Sequence, residues 1–291
     1  MTMKEAERIV KYTEQSNPTK AQMQTLKDAL EFLIEVTHDP GYMMYLGGIY
    51  YDERKFDLAL KYYEMAAEQD DDSAYECLGY IWYYGRTGEK DYKKAFEYFS
   101  KAAQVGNLIA AYKVADMYRE GYYVEKDYNK YCRTIESLYP SVRMSDNLGD
   151  PFPEISMRLA AIRKEQGRTD EAIMLLLKAR PFLAERIMYN PFFGDLSNME
   201  HLIGGLYEMT ECDLNNLRLY DLHHILKTPG KVEFDYRGST YEVESIDKDR
   251  KIMVRFGQKQ YDSIRDFFSD AAIGGRKLIT IPYELKYFRV M

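Results

Sequence analysis

The chain has 291 residues, and its hydrophobic content of 46% is enough to fill a sizeable core. Its formal net charge of −7 disfavours a general nucleic-acid-binding surface. The N-terminus alternates charged and apolar residues, unlike a secretory signal, and no stretch approaches the roughly 20 apolar residues of a spanning helix, so we expect a cytoplasmic protein without membrane association.

Residues 1–39 predict two amphipathic helices. The stretches "MKEAERIVKYTEQ" and "KAQMQTLKDALEFLIEVT" both carry apolar residues at helical spacing. We expect these helices to cap the elements that follow.

An internal repeat with a period of 36 residues fills residues 40–139. The matched residues of its second and third copies are Ala74 and Ala110, Leu78 and Val114, Gly79 and Ala115, Trp82 and Tyr118, Gly85 and Gly121, Asp91 and Asp127, and Tyr92 and Tyr128. An earlier copy, "YLGGIYY" with "FDLALKYYEMAA", matches the second at offsets of 32 and 36, so its turn is four residues shorter. Spaced alanines on one helix face predict closely packed pairs of helices, which must stack to bury that face.

The stretch "AYECLGYIWYYGRTGEKDYKKAFEYFSKAAQVGN" resembles the Sel-one-like repeat, a tetratricopeptide-like helical hairpin. The resemblance lies in its Ala, Leu-Gly, aromatic, Gly, Asp, Lys-Ala, Tyr-Phe and Lys-Ala-Ala-x-x-Gly positions. It covers residues 74–107 most specifically, extends to 42–70 and fades within 110–139, where Tyr131 and Tyr139 replace alanine. It implies an α-α superhelical solenoid, and such proteins are generally adaptors that bind other proteins.

Residues 140–228 begin with a break rich in proline and glycine, "YPSVRMSDNLGDPFPE", and then return to helical periodicity. The stretch "ISMRLAAIRKEQGRTDEAIMLLLKAR" predicts a tetratricopeptide-like pair with its turn at "GRTDEA". The stretch "LSNMEHLIGGLYEMTECDLNNLRLYDLHHILKT" predicts one more pair.

Residues 229–291 change to a period of two. Alternating residues over 231–256, with turns at "RGS" and "DKDR", predict three antiparallel strands. A short helix follows, with Ser263 or Asp262 as its cap and Gly274 as its stop, and one or two further strands close the chain. The fold class predicted is therefore mainly α, a tetratricopeptide or Sel-one-like solenoid followed by a small α+β domain, which we expect to dock on the last helices.

The histidines and cysteines do not occur at the spacings typical of metal or catalytic sites. His223 and His224 are consecutive, so on a helix they point about 100° apart and hold one metal ion poorly. Cys77, Cys132 and Cys212 are odd in number and widely spaced, which predicts reduced, buried thiols. We expect no catalytic residue, metal or cofactor.

The acidic run "EQDDDSAYE" lacks the alternate spacing and the glycine of a calcium loop. An Asp or Ser73 in it can instead cap the next helix. Asp91 and Asp127, each opening a second helix, are interpreted in the same way.

Partner-binding candidates follow from the resemblance, because in such stacks the first helix of each pair lines the concave face. Positions one and four residues after the small residue of Leu-Gly, and three before it, generally point into that face. The candidates counted in this way are Met44, Tyr51, Glu76, Tyr80, Tyr83, Tyr112, Asp116 and Arg119. The alternative is that these tyrosines pack against the N-terminal helices or against each other.

Three functions remain open. The first is a non-enzymatic scaffold or adaptor that holds a protein or peptide partner in the concave groove. The second is nucleic-acid or ligand recognition by the C-terminal module, which loosely resembles RAMA-type modules but lacks their tryptophans and, with 12 Lys/Arg and 10 Asp/Glu, most of the charge that phosphate binding needs. The third is an enzyme, which is disfavoured because no nucleophile and base pair by spacing.

Overall fold

The computed structural model describes residues 1–14, 18–69, 71–142, 150–190, 193–211 and 217–291. The chain forms two compact units, Met1–Leu138 and Tyr139–Met291. The first consists of helices, and the second combines helices with an antiparallel sheet. The predicted fold class is therefore confirmed.

Paired helices make up the first unit. They are α1 (Met3–Glu14), α2 (Lys20–Thr37), α3 (Pro40–Asp52), α4 (Phe56–Ala67), α5 (Asp72–Tyr84), α6 (Tyr92–Gln104), α7 (Leu108–Glu120) and α8 (Tyr128–Leu138). The repeat copies correspond to α3 with α4, α5 with α6, and α7 with α8. Throughout the described ranges, no helix combines the length and the apolar character needed to cross a membrane.

Aspartates begin several of these helices, as predicted. The carboxylates of Asp71, Asp91 and Asp127 accept backbone N–H bonds of 2.8 to 2.9 Å from residues two or three further on. Each bond satisfies an N–H group that the first turn of a helix leaves without a partner. Of the acidic run, Asp70 lies outside the described residues.

Each of the first two repeats is closed by an aromatic ring on a glycine. A Cβ placed on Gly47 would lie 2.6 Å from the ring of Tyr63, and one on Gly79 would lie 2.5 Å from the ring of Phe99. Both distances are far inside van der Waals contact, so the two helices of each pair approach closely only because glycine has no side chain at this point.

The third repeat has a different residue pair at the equivalent helix–helix contact. The positions equivalent to Gly79 and Phe99 hold Ala115 and Ile135, which are 1% and 0% exposed. A larger residue on one helix is matched by a smaller one on the other, which conserves volume. Tyr131, in place of a family alanine, is also buried at 1% exposure.

A backbone hydrogen bond closes each helix pair at the turn. The bonds run from Lys55 N to Tyr50 O at 2.8 Å, from Asp91 N to Trp82 O at 3.0 Å and from Asp127 N to Tyr118 O at 2.9 Å. The first copy makes this bond although its turn is four residues shorter. The closing bond is therefore a property of the repeat, while the turn length is not.

Lysines cover the aromatic rings of Trp82 and Tyr118, whose backbone carbonyls accept two of these bonds. Lys94 Nζ lies 3.7 Å from the ring centroid of Trp82, and Lys130 Nζ lies 3.9 Å from that of Tyr118. Both rings stand at the aromatic position of the repeat, and both are half-buried with a cation over the ring face.

The second unit begins with helices and ends with strands. Its elements are α9 (Phe152–Glu165), α10 (Thr169–Tyr189), α11 (Phe193–Tyr207), α12 (Leu222–Ile225), β1 (Gly230–Tyr236), β2 (Ser239–Lys248), β3 (Lys251–Phe256), β4 (Lys259–Tyr261), α13 (Ile264–Asp270), β5 (Ala272–Ile273), β6 (Arg276–Lys277) and β7 (Lys286–Val290). The pair α9 and α10 has its turn where "GRTDEA" predicts it. The second helix expected after α11 differs, because residues 219–225 form a 3-10 turn and the four-residue α12.

The main sheet has the strand order β4-β3-β2-β1-β7, with antiparallel neighbours. The three predicted strands over 231–256 are confirmed as β1 to β3. Ser263 caps α13 by accepting an N–H bond from Asp266, as expected. The expected stop at Gly274 is wrong: α13 ends at Asp270, and Gly274, at φ 56°, turns the chain between β5 and β6.

The C-terminal elements pack against the preceding helices of the same unit, as predicted. The hydroxyl of Tyr220 donates to the carbonyl of Ile279 at 3.3 Å. The imidazole of His223 stacks on Phe268 with ring centroids 3.8 Å apart. The sheet and the helices therefore share a core.

Candidate functional site

Four tyrosines and two cations form a continuous surface on the first unit, which we call the tyrosine face. It consists of Tyr51, Tyr80, Tyr83, Tyr84, Arg86 and Lys113. The tyrosines come from α3 and α5, Arg86 from the turn after α5, and Lys113 from α7. The face therefore draws on all three repeats.

Arg86 joins the first repeat to the second. Its Nε donates to the hydroxyl of Tyr51 at 3.2 Å. Its Cζ lies 5.8 Å from the ring centroid of Tyr51, 5.6 Å from that of Phe56 and 5.0 Å from that of Tyr84. Tyr51 and Phe56 meet edge to face, with centroids 5.2 Å apart, so the guanidinium covers an aromatic pair of the preceding repeat.

Tyr122, in the turn of the third repeat, covers the aromatic pair of the second repeat in the same way. Its ring stacks on Tyr92 with centroids 4.3 Å apart and lies 6.1 Å from Tyr83. Tyr83 and Tyr92 meet edge to face at 5.6 Å, and they are the equivalents of the pair under Arg86. A side chain from each longer turn thus covers the aromatic pair of the repeat before it.

Lys113 adds the third repeat to the face. Its Nζ lies 5.3, 5.5 and 5.7 Å from the ring centroids of Tyr80, Tyr83 and Tyr84. It also donates to the hydroxyl of Tyr84 at 3.5 Å. A cation shared by several rings attracts each of them and holds them in one arrangement.

Tyr80 and Tyr83 have a packing role as well. Both meet Phe99 edge to face, with centroids 5.4 and 6.2 Å away, and both are half-buried. Burial raises the pKa of both phenols, and a neighbouring hydroxyl of Tyr112 adds to the effect on Tyr80. The rings therefore also pack against each other, as the alternative reading of the sequence holds.

Three other predicted residues lie deeper. Tyr112 is 6% exposed and Asp116 is 5% exposed, so they present little surface to a partner. Glu76 is half-buried and accepts a bond of 2.6 Å from the side-chain amide of Asn107. Burial raises the pKa of the Glu76 carboxyl.

The last two predicted residues lie apart from this arrangement. Met44 packs against the core formed by α1 to α5. Arg119 contacts the α8 residue Tyr131, with its Nη1 donating to that hydroxyl at 3.4 Å, and its Nη2 lies 4.0 Å from Asp116. The eight candidates remain a prediction, of which the structure brings Tyr51, Tyr80 and Tyr83 into one face.

Sequence reasoning missed Tyr84, Arg86 and Lys113. Tyr84 is 43% exposed, the most open of the four tyrosines. The spacing rule samples only certain positions of the first helices and none in the turns. The run "WYYG" before the turn is the signal that could have drawn attention to Tyr84.

The described ranges contain no candidate metal site, and the thiol of Cys77 is poorly suited to catalysis. Cys77 and Cys132 are partly buried thiols, and Cys212 lies outside the described residues. Burial raises the pKa of the Cys77 thiol to about 12, which makes it a poor nucleophile at neutral pH. Among the residues described, no three His, Cys, Asp or Glu side chains come together as metal ligands.

The C-terminal sheet carries a cleft of about 810 Å³ lined by residues of β2, β3, β4 and the β5 turn. Most of its charged side chains are paired: Arg255 with Glu244, Glu242 with Lys231 at 3.0 Å and Asp270 with Lys277 at 3.7 Å. Lys259 instead lies over the ring of Tyr261, with its Nζ 4.7 Å from the centroid. Paired charges attract an ionic ligand weakly. Recognition of nucleic acid or another ligand by this module stays a prediction.

The family model described as the Sel1 repeat matches residues 41–71, 74–107 and 108–130. The chain therefore carries Sel1 repeats over α3 to the start of α8, which confirms the resemblance found in the sequence. A search of curated proteins gave no match.

Several solved structures are similar to this chain. A Sel1 repeat protein from Oxalobacter formigenes is 20% identical, with a TM-score of 0.48 over 62% of this chain and 67% of that one. A protective antigen of uropathogenic Escherichia coli with an SLR fold is 17% identical, with a TM-score of 0.35 over 73% of this chain and 57% of that one. Yeast Tom70 is 16% identical, with a TM-score of 0.38 over 71% of this chain, which spans 47% of the yeast chain.

Proposed function

We propose that the first unit is a non-enzymatic scaffold or adaptor whose tyrosine face binds a protein or peptide partner. The observation that carries the proposal is the face itself: half-exposed tyrosines from two repeats, held in place by Arg86 and Lys113. Tyrosine and arginine are enriched in protein interfaces and at their energetic centres. The Sel1 repeats support the same function, because proteins with such repeats generally mediate protein–protein interactions.

Pre-organisation is the physical advantage of this arrangement. Tyr80 stacks on Tyr84 with an interplanar angle of 1°, and Tyr84 meets Tyr83 edge to face at 5.1 Å. Rings that are already fixed lose little conformational entropy when a partner binds. Less of the favourable contact energy is therefore offset by the entropic cost of ordering these side chains.

The chemistry of the face suits binding better than catalysis. The phenols of Tyr80 and Tyr83 are protonated at neutral pH, because burial raises the pKa of both above an ordinary value of 10.0. A protonated phenol is neither a nucleophile nor a base at neutral pH. The proposal places this scaffold in the cytoplasm, with a protein rather than a nucleic acid as its partner.

The test is affinity capture from the protein's own cell extract, with the full chain as bait. The variant Tyr84→Ala/Arg86→Ala changes two exposed side chains, and Tyr189→Ala, at a position 78% exposed in the second unit, is the matched control. We expect the double variant to lose at least about tenfold of the retained partner, as for a loss of about 1.4 kcal/mol or more. Equal retention by the double variant and the wild type would overturn the proposal.

The cleft of about 810 Å³ on the sheet is the place for the second candidate function, recognition of nucleic acid or a ligand by residues 229–291. Its size is within the range of ligand sites. The test is a mobility shift of DNA or RNA with the full chain at rising salt. Binding that Arg255→Gln weakens supports this function, and no shift at low salt excludes nucleic acid.

A further inference from the structure

A second surface of the first unit is lined by residues of α2 and α4, with His38 after α2. This α2–α4 groove has a volume of about 650 Å³. Phe32 and Met65, both half-buried, and the buried Tyr62 form its apolar part. A volume of this size is within the range of ligand-binding clefts.

Three carboxylates line the α2 side of the groove. Asp28, Glu31 and Glu35 are all exposed and are spaced three and four residues apart, so they follow one side of the helix for about 10 Å. Across the described ranges, none of the three takes part in an ion pair. They differ in this from the paired charges of the sheet cleft.

Glu31 is held in position by two phenols, of which Tyr62 belongs to the groove lining. The hydroxyls of Tyr50 and Tyr62 donate to its Oε1 at 3.4 and 3.3 Å. The two rings stack with centroids 5.7 Å apart. These bonds orient the carboxylate without neutralising it, so its charge remains available to a ligand.

The charges on the α4 side do not balance the carboxylates. Lys61 is the lysine of the lining, and its Nζ lies 5.0 Å from the ring centroid of Tyr62. One lysine against three carboxylates leaves an excess of two negative charges along an apolar groove. Such a surface attracts cations and repels acidic segments and nucleic acids.

We propose that the α2–α4 groove binds a basic segment of a partner protein, in which an apolar side chain lies between two Lys or Arg residues. The apolar side chain occupies the space beside Phe32 and Met65, and the two cations meet Asp28 and Glu35. A separation of about 10 Å corresponds to residues i and i+7 of a helix, which lie on the same face of that helix. This surface shares no residue with the tyrosine face, so the inference does not depend on the function proposed above.

The experiment uses the full chain with methyl-labelled methionine and a synthetic helical peptide. The peptide carries Lys at i and i+7 on either side of a Leu, and a matched peptide carries Glu at both positions. We expect the basic peptide to shift the methyl resonance of Met65, assigned with Met65→Leu, and rising salt to weaken its binding. We expect no shift from the acidic peptide.

Variants separate this groove from general attraction to an acidic protein. Asp28→Asn/Glu35→Gln removes two charges without changing shape, and Glu89→Gln/Glu97→Gln removes two exposed charges elsewhere. We expect the first to weaken the basic peptide about tenfold or more and the second to bind like the wild type. Tyr84→Ala/Arg86→Ala also leaves this binding unchanged, which keeps the two surfaces distinguishable.

The proposal is overturned by any of three results. They are no binding of the basic peptide, equal binding of the acidic peptide, and equal weakening by the two double variants. Self-association of the chain that Asp28→Asn/Glu35→Gln abolishes would instead make a second copy the occupant of the groove, and would also overturn it.

Discussion

The ring of Phe99 lies against the backbone of Gly79 so closely that a Cβ on the glycine would stand 2.5 Å from two ring carbons. Phe99 is fully buried and also supports the rings of Tyr80 and Tyr83. This contact therefore positions the tyrosine face as well as closing the second repeat.

Gly79→Ala is expected to destabilise the first unit by about 1 to 3 kcal/mol, because the added methyl displaces Phe99. Urea unfolding followed by the fluorescence of Trp82, the single tryptophan, measures the change. Gly48→Ala is the control: its Cβ would meet no atom nearer than 4.0 Å, so it should be neutral or stabilising. Equal stability of the wild type and Gly79→Ala would show that the helices need no glycine here.

The third repeat predicts how to rescue that variant. Since Ala115 and Ile135 stand where Gly79 and Phe99 do, Gly79→Ala/Phe99→Ile should regain part of the stability that Gly79→Ala loses. A double-mutant cycle on the free energy of unfolding measures the coupling. Additive losses would contradict the equivalence of the two pairs.

Alkaline pH should destabilise the first unit through its buried phenols. Burial raises the pKa of Tyr63, Tyr80 and Tyr83 above the ordinary value of 10.0, so above about pH 10 the unfolded chain loses protons that the folded chain keeps. Stability is therefore full below pH 10 and falls as the pH rises. Absorbance of phenolate and circular dichroism, recorded together, should show a group of tyrosines that ionises only as the helices unfold.

Acid should destabilise the second unit through His223. Burial and the nearby charges of Lys227 and Arg265 lower the pKa of this imidazole to about 3, below the ordinary 6.5. Between pH 6.5 and about 3 the imidazole is therefore protonated in the unfolded chain and neutral in the folded chain. As the pH falls through this range, the free energy of unfolding decreases by up to about 1.4 kcal/mol per pH unit.

Two measurements check the role of His223. Its ring resonance in NMR should stay at the neutral position as the pH falls from about 7 to 5, below the ordinary histidine pKa. His223→Phe, which keeps a flat ring on Phe268, should flatten the acid side of the stability profile, whereas His201→Gln at an exposed position should not. An unaltered profile in His223→Phe would assign the acid sensitivity to other groups.

Loss of Arg186 should destabilise the second unit strongly. Its guanidinium binds Glu154 at 2.6 and 3.2 Å and Asp195 at 2.5 Å, joining α9, α10 and α11, and all three side chains are at most 17% exposed. Arg186→Met leaves two carboxylates unpaired, at a cost of about 3 to 5 kcal/mol. Arg168→Met, which breaks an exposed pair with Glu171, should cost less than about 1 kcal/mol. Similar losses in thermal unfolding for the two variants would contradict the prediction.

Local sequence signals were sufficient for the repeats, the helix caps and the three consecutive strands. Asp91 and Asp127 cap helices because a carboxylate satisfies free N–H groups wherever the chain enters a helix. These features depend on neighbours in sequence, so spacing and residue type predict them.

Features that depend on distant residues were not predictable in the same way. Arg86 donates a hydrogen bond to Tyr51, 35 positions earlier in the sequence. Strand β7, the last in the sequence, pairs with β1, the first. Gly274 looked like a helix stop, but the helix ends earlier because the chain turns into the β5–β6 hairpin. In each case the deciding partner lies in another element.

The turns between helices also set the order of the copies. Arg86 and Tyr122 each reach back onto the aromatic pair of the preceding repeat, while the four-residue shorter turn of the first copy has no equivalent position. A copy with the short turn can begin the array, but it lacks the turn side chain that would contact the aromatic pair of a repeat placed before it. Anyone lengthening this array should therefore duplicate the second copy together with its turn, and keep the first at the start.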